Sequence, residues 1–138
     1  MKATINWKQD LRFDAVTSSN ALISFDSDAT TNLPSPMEGL LTSLAACMAM
    51  DVISILEKKR QAVSAYRVEI EGERPEAGVY PRPFTSMTLV HYVEGDNIDE
   101  AAVARAVELS ETKYCSVSFT LKSQPEIRNE WRVSSPKS

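Results

Sequence analysis

The sequence has few of the residues and motifs on which most enzyme classes depend. It has 2 cysteines and 1 histidine in 138 residues, and it lacks the G-x-S-x-G, G-x-x-x-x-G-K-S/T and H-E-x-x-H motifs. These absences argue against a nucleophile-elbow hydrolase, a P-loop nucleotide-binding protein and a zinc protease. Cys47, Cys115 and His91 leave a tetrahedral metal site one ligand short unless a carboxylate joins them, so we expect no metal ion and no other cofactor.

Long runs of one charge and uninterrupted apolar runs are absent too. The 15 basic and 19 acidic residues give a net charge of -4 and are interspersed, which argues against nucleic acid or an anionic membrane as a partner. Polar residues interrupt the most apolar stretch, Leu40 to Leu56, and the N-terminal segment MKATINWKQD lacks the apolar core of a signal peptide. We therefore expect a cytoplasmic protein with reduced thiols, in which any disulfide is transient and catalytic.

What the sequence does contain is the composition of an ordinary globular protein. With 43% hydrophobic and 25% charged residues, the chain is long enough to bury one core, and we expect a single domain over residues 1–138. Short alternations of apolar and polar residues over 3–26, punctuated by Ser18, Ser19 and Asn20, predict two or three antiparallel strands.

A long apolar helix follows these strands. Ser35, Pro36 and Glu38 have the spacing of a capping box with proline at the first helical position. The helix should run to about Lys59 or Arg60, because cations favour the exposed carbonyls of a last turn. Since the helix is apolar nearly all the way round, it must be buried, and we infer that a second subunit of a homodimer helps to bury it.

The second half of the chain is predicted to contain further strands and a second helix. Residues 66–70 and 86–93 alternate like two half-exposed strands, joined by a proline-rich loop. Asn97 and Glu100 suggest the capping box of a second helix before Cys115, residues 116–122 are ambiguous between helix and strand, and 127–133 alternate like a last strand. Because strands come in consecutive runs, the chain is predicted to be an α+β protein, with a mostly antiparallel sheet wrapped around the long helix.

The two thiols are the only distinctive chemistry, and the residues alone leave their role open. Cys47 is either a small apolar residue of the core or part of a site. It lies on one arc of the helix with Asp51 and two serines, a polar seam that needs hydrogen-bond partners either within a site or between subunits. A thiolate there would require a cation, for which Arg12 is the best candidate, although Asp14 on the same strand face explains Arg12 equally well.

Two sequence stretches resemble the OsmC/Ohr superfamily. These are SPMEGLLTSLAACMAMDV around Cys47 and SETKYCSVSFTL around Cys115, and the similarity extends over essentially the whole chain. The resemblance implies an intertwined homodimer with two active sites at the subunit interface. It also implies a thiol peroxidase in which Cys47 attacks the peroxide, Cys115 resolves the product as a disulfide, and Arg12 stabilises the thiolate.

The resemblance further implies a dithiol reductant, which in one branch is a lipoylated protein. Two positions depart from the family pattern. The catalytic glutamate of the peroxidase branches falls on Met37, and Glu38 cannot replace it because one residue turns a side chain about 100° around a helix. Ser116 stands where a proline commonly follows the second cysteine.

Two functions therefore follow as hypotheses from the sequence. The first is a cytoplasmic, dimeric, cofactor-free peroxidase that reduces organic or fatty-acyl hydroperoxides in oxidative-stress defence, with an apolar lining from Leu44, Met48 and Met50. The second is a non-enzymatic dimer of the same family that binds a hydrophobic small molecule in its interface cavity while both thiols stay inert.

Overall fold

The N-terminal part of the chain forms a three-stranded antiparallel sheet. The computed structural model describes residues 1–136. The sheet consists of β1 (Ala3–Gln9), β2 (Arg12–Thr17) and β3 (Leu22–Phe25) in the order β1-β2-β3, followed by a single 3-10 turn. The prediction of antiparallel strands over this region is confirmed.

The long helix α1 spans Pro36–Lys58 and begins where the sequence predicts. The Glu38 N–H donates to the Ser35 hydroxyl at 3.2 Å, and the Glu38 carboxylate accepts from the Ser35 N–H at 3.0 Å. Both bonds of the capping box are therefore present, and Pro36 occupies the first position of the helix, where its missing N–H costs nothing.

Replacing Ser35 with alanine should lower the free energy of unfolding by about 1 kcal/mol, because the Glu38 N–H loses its acceptor. Urea unfolding followed by circular dichroism measures the change. Ser123→Ala is the matched control: its hydroxyl donates to a carbonyl of its own helix at 3.2 Å, so its loss should cost less than about 0.5 kcal/mol. Equal losses in the two variants would show that the cap does not stabilise the helix.

A second antiparallel sheet follows α1 as a long hairpin. Strands β4 (Ala62–Glu73) and β5 (Ser86–Asp96) pair from Ala62 opposite Asp96 to Glu73 opposite Ser86. The alternating burial of β4 and β5 matches the predicted half-exposed strands.

The remaining elements are α2 (Glu100–Leu109), a π-helical turn (Ser110–Tyr114) and α3 (Ser116–Ser123). The prediction that Asn97 caps α2 is wrong. Asn97 is left-handed with a φ of 52°, and Asp99 caps the helix by accepting from the Ala101 N–H at 2.9 Å. Asparagine tolerates the left-handed conformation better than most residues, which suits it to the turn before the cap. The ambiguous residues 116–122 are helical.

The core lies where α1 packs on β4 and α2. One cluster contains Val52, Leu56, Ala102 and Ala106, and a second contains Leu44, Met48 and Cys115. The four buried residues of α1 recur every fourth position and form one stripe. The observed architecture is an α+β fold with a long central helix, as predicted.

The opposite face of α1 is not covered within one chain, which is consistent with the inference that a single chain cannot bury this apolar helix completely. Met50 is 70% exposed. The helix has the length and apolar composition to cross a membrane, and 22% of its most apolar window is buried within the chain. Because its buried stripe packs on a sheet and a second helix, α1 is the central helix of this fold.

The prediction of a last strand over 127–133 is wrong within one chain. Residues 124–136 have no strand pairing. The apolar side chains of this segment are largely exposed: Ile127 is 82%, Trp131 83% and Val133 93% exposed. The sequence has the alternation of a strand, but a strand needs a neighbour to satisfy its backbone groups, and this segment has none within residues 1–136.

Candidate active site at the two cysteines

The two sulfur atoms lie close together although the cysteines are far apart in sequence. Cys47 lies in the middle of α1, and Cys115 lies between the π-helical turn and α3. The Sγ atoms of both cysteines and a carboxylate oxygen of Asp51 all lie within 4.8 Å of one another. Both cysteines are free thiols; Cys115 is fully buried, whereas Cys47 is half-buried.

The turn before α3 places Cys115 against α1. Cys115 is the N-cap residue of α3, with extended backbone angles of −73° and 101°. Its sulfur accepts the Ser118 N–H at 3.4 Å in the position that a serine or aspartate oxygen usually takes. Because that N–H is one of the otherwise unpaired donors of a helix start, the cap fixes the direction of the thiol.

Burial raises the pKa of the Cys115 thiol, because the thiolate would lose its hydration. The neighbouring Cys47 thiol and Asp51 carboxylate raise that pKa further, and the Ser118 N–H opposes them. Cys115 is therefore held as a neutral thiol, and Cys47 is the more accessible of the two.

Asp51 is the functional candidate to which sequence reasoning gave no role of its own. It follows Cys47 by four residues, so both side chains lie on one face of α1. The Ser110 hydroxyl donates to Asp51 Oδ2 at 2.9 Å, and Ser110 is fully buried. The i, i+4 spacing was the available signal for Asp51, but nothing local in the sequence pairs it with Ser110, 59 positions away.

A cavity of about 450 Å³ lies between α1, β5 and the helices that follow, and neither cysteine is among the residues that line it. Its apolar lining comes from Leu44, Met48, Met87, Leu89, Val107 and Leu121. Ser118, whose N–H binds the Cys115 sulfur, also lines it. Two of the three residues expected to provide an apolar lining are therefore present, while Met50 lies on the exposed face of α1.

His91 is a residue of strand β5. Its Nδ1 shares a 2.8 Å hydrogen bond with the Tyr66 hydroxyl, and burial lowers its pKa. A neutral imidazole is consistent with its place at the apolar cavity wall. His91 is not part of the Cys47, Asp51 and Cys115 cluster.

Comparison with known proteins places this arrangement in a family. The family model described as OsmC-like protein matches residues 28–130, a span that includes both cysteines. The chain belongs to the OsmC-like family. It is also 40% identical to protein YhfA of Escherichia coli strain K12 over 133 residues, which cover 96% of this chain and 98% of YhfA.

Two solved structures share the OsmC-like fold of this chain. A crystal structure of a hypothetical protein from Aquifex aeolicus is 30% identical, with a TM-score of 0.77, and covers 88% of this chain and 86% of its own. An OsmC-like hydroperoxide resistance protein from Jannaschia is 17% identical, with a TM-score of 0.60, and covers 97% and 92%. The second likeness concerns the fold alone.

Arg12 lies on β2 of this OsmC-like chain, in the N-terminal three-stranded sheet, whereas Cys47 lies on α1. Its Nε is 3.8 Å from Asp14 Oδ1, and the same oxygen accepts the Ser24 hydroxyl at 2.7 Å. Within residues 1–136, Arg12 Nε is buried without a hydrogen-bond partner, and no hydrogen bond joins Arg12 to either cysteine. The structure therefore brings together two of the three predicted site residues, Cys47 and Cys115.

The two departures from the OsmC/Ohr pattern have clear structural settings. Glu38 is occupied by the capping box, which agrees with the argument against giving it a catalytic role. Ser116 is the first residue of α3, a position where proline is favoured because its missing N–H is not needed and where serine is also accommodated. The substitution therefore preserves the helix start that holds Cys115.

Proposed function

We propose that this chain is a thiol-dependent peroxidase that reduces organic hydroperoxides, including fatty-acyl ones, in oxidative-stress defence. The observation that carries the proposal is the approach of the Cys47 and Cys115 sulfurs to within 4.8 Å in a chain whose two cysteines are both free. A disulfide has an S–S bond of about 2 Å, so a relative shift of about 3 Å at most would close it.

The burial of the two thiols supports their assigned roles. The half-buried Cys47 is the sulfur that a peroxide can reach, so we assign it as the nucleophile. Its thiolate attacks the terminal peroxide oxygen, the O–O bond breaks, the alcohol leaves with a proton, and Cys47 becomes a sulfenic acid. The Cys115 thiol then attacks the Cys47 sulfur, water leaves, and a disulfide forms.

Two further parts of the proposed peroxidase cycle, the reductant and the role of Arg12, are assigned through the resemblance to the OsmC/Ohr superfamily. A dithiol reductant, such as a lipoylated protein, takes the disulfide back to two thiols while its own pair is oxidised. Arg12 stabilises the Cys47 thiolate, and because it pairs with Asp14 within one chain, this role requires that a second subunit complete the site. The chain would act in the cytoplasm as a single domain and without a resident cofactor.

Exposed apolar residues support the homodimer. Ile127, Trp131 and Val133 occupy alternate positions of a segment without strand pairing and are all more than 80% exposed. Such a segment is suited to addition to the sheet of a second copy, which would satisfy its backbone and bury its side chains. Met50 on the open face of α1 would be covered by the same association.

The 450 Å³ cavity favours one alternative, a non-enzymatic binder of a hydrophobic small molecule. Its size lies in the range of ligand pockets, and its walls are mostly apolar. In that case the thiols would be inert and the raised pKa of Cys115 would be a consequence of packing.

One equivalent of cumene hydroperoxide separates the two functions. For the peroxidase we expect both thiols to be lost together and an intramolecular Cys47–Cys115 disulfide to be found by peptide mass spectrometry. Cumyl alcohol is the matched control, because it has the same apolar body without the O–O bond and should leave both thiols alkylatable. Two free thiols after peroxide treatment would contradict the peroxidase and leave the binder.

A further inference from the structure

Cys47, Asp51 and Cys115 direct three metal-ligating atoms toward one point. Two thiol sulfurs and one carboxylate oxygen all lie within 4.8 Å of one another. We propose that the reduced protein binds one divalent metal ion of the zinc type between these three side chains. The sequence led us to expect no metal because His91 and the two thiols left a tetrahedral site one ligand short. In the structure His91 lies outside the cluster, the Asp51 carboxylate takes the place of the third protein ligand, and water would complete the site.

The separations are close to those of a tetrahedral site. Zinc lies about 2.3 Å from a thiolate sulfur and about 2.1 Å from a carboxylate oxygen, so ligand atoms around it are about 3.5–3.8 Å apart. The observed upper limit of 4.8 Å leaves roughly 1 Å of adjustment. Rotations of the Cys47 and Asp51 side chains supply such a shift, since both are only half-buried.

The donor set favours zinc over calcium or magnesium. Two thiolates are soft ligands, whereas calcium and magnesium take oxygen ligands almost entirely. Binding replaces the two S–H protons by the metal and releases them to solvent, so no oxidant or reductant is needed. Three protein ligands leave one tetrahedral position for water, as in sites that stay open to a small molecule.

Hydrogen bonds orient two of the three side chains of the cluster, as they orient the ligands of metal sites. The buried Ser110 hydroxyl donates to Asp51 Oδ2 at 2.9 Å, which orients the carboxylate and leaves its other oxygen free for the metal. The Ser118 N–H donates to the Cys115 sulfur at 3.4 Å and holds it toward α1. Removing such hydrogen-bond partners typically weakens metal binding by about 10- to 100-fold.

The cluster also has a route to solvent. Asp51 lines a cleft of about 350 Å³ together with Tyr114 and the end of α1. Lys58 and Lys59, at the end of α1, also line this cleft. They follow Asp51 by seven and eight residues, which places their backbones about 10–12 Å further along the helix axis. A hydrated cation can therefore reach the carboxylate without passing through the apolar core.

The metal site and the peroxidase use the same two sulfurs but are separate proposals. A bound metal and a Cys47–Cys115 disulfide exclude each other, because each needs both sulfurs. The titration below is carried out without peroxide on the fully reduced protein. A failure to bind metal would therefore leave the peroxidase untouched, and a failure of peroxide reduction would leave the metal site untouched.

Cobalt(II) and zinc titrations of the whole reduced protein test the proposal. Cobalt should saturate at one ion per chain, with the thiolate charge-transfer and d–d absorption of a tetrahedral site, and one equivalent of zinc should displace it. The zinc-loaded protein should keep both thiols from alkylation by N-ethylmaleimide. Substoichiometric binding, or an octahedral cobalt spectrum without thiolate absorption, would overturn the proposal even if every variant failed to fold.

Variants test the carboxylate. Asp51→Asn should weaken zinc binding by about tenfold or more, and Ser110→Ala by about 10-fold, since it removes the hydrogen bond that orients the carboxylate. Glu57→Gln, an exposed residue of the same helix, removes the same charge and should leave the affinity unchanged. If Asp51→Asn and Glu57→Gln bind zinc alike, the three-ligand site is wrong.

Discussion

Cys47→Ser is expected to reduce peroxide turnover to the uncatalysed background. A serine hydroxyl is not a nucleophile toward peroxide near neutral pH and forms no sulfenic acid, so the first step is lost rather than slowed. The measurement is the consumption of cumene hydroperoxide with dihydrolipoamide as the dithiol reductant. Since Cys47 is half-buried in the middle of α1, the nearly isosteric serine should leave the helix intact, which circular dichroism checks.

Cys115→Ser is the matched control because it removes the other sulfur of the pair. With one equivalent of peroxide and no dithiol, which would itself reduce a sulfenic acid, this variant should convert Cys47 to a sulfenic acid that has no resolving thiol. Dimedone should trap that sulfenic acid, and excess peroxide should oxidise it further. If both variants consume peroxide like the parent protein, the roles assigned to the cysteines are wrong.

Local signals in the sequence were sufficient to predict the start of α1 and the strands β4 and β5. The capping box depends on Ser35 and Glu38, three residues apart, so its bonds form within one turn. The alternation of β4 and β5 likewise records which side of a strand faces the core. Element type was predictable wherever the deciding interactions were between neighbours in sequence.

The composition of the site depended on interactions that no local pattern records. Asp51 is held by Ser110, and the Cys115 sulfur caps α3 in place of an oxygen. A sequence reader sees Asp51 as one member of a polar seam and sees Cys115 as a residue before an ambiguous segment. The packing of the segment between α2 and α3 on α1 is what pairs Asp51 with Ser110 and brings Cys115 close to Cys47.

The C-terminal segment shows a different limit. Its alternation at Ile127, Trp131 and Val133 is genuine, but whether it becomes a strand depends on a neighbour that the described part of the chain does not provide. Arg12 is similar, since its position on β2 was predictable while its assigned partner lies outside its own sheet. Both features concern association between chains, which remains a prediction.

Leu56→Ala is expected to produce the largest loss of stability, about 2–5 kcal/mol in the free energy of unfolding. Leu56 is fully buried in the cluster with Val52, Ala102 and Ala106, where α1 packs on α2. Truncation removes apolar contacts and leaves a cavity that α1, fixed against β4 and α2, cannot fully close. Leu56→Met, which keeps the volume, should cost less than about 1.5 kcal/mol. Urea unfolding of the reduced protein measures both, and equal losses would contradict close packing of α1 at this position.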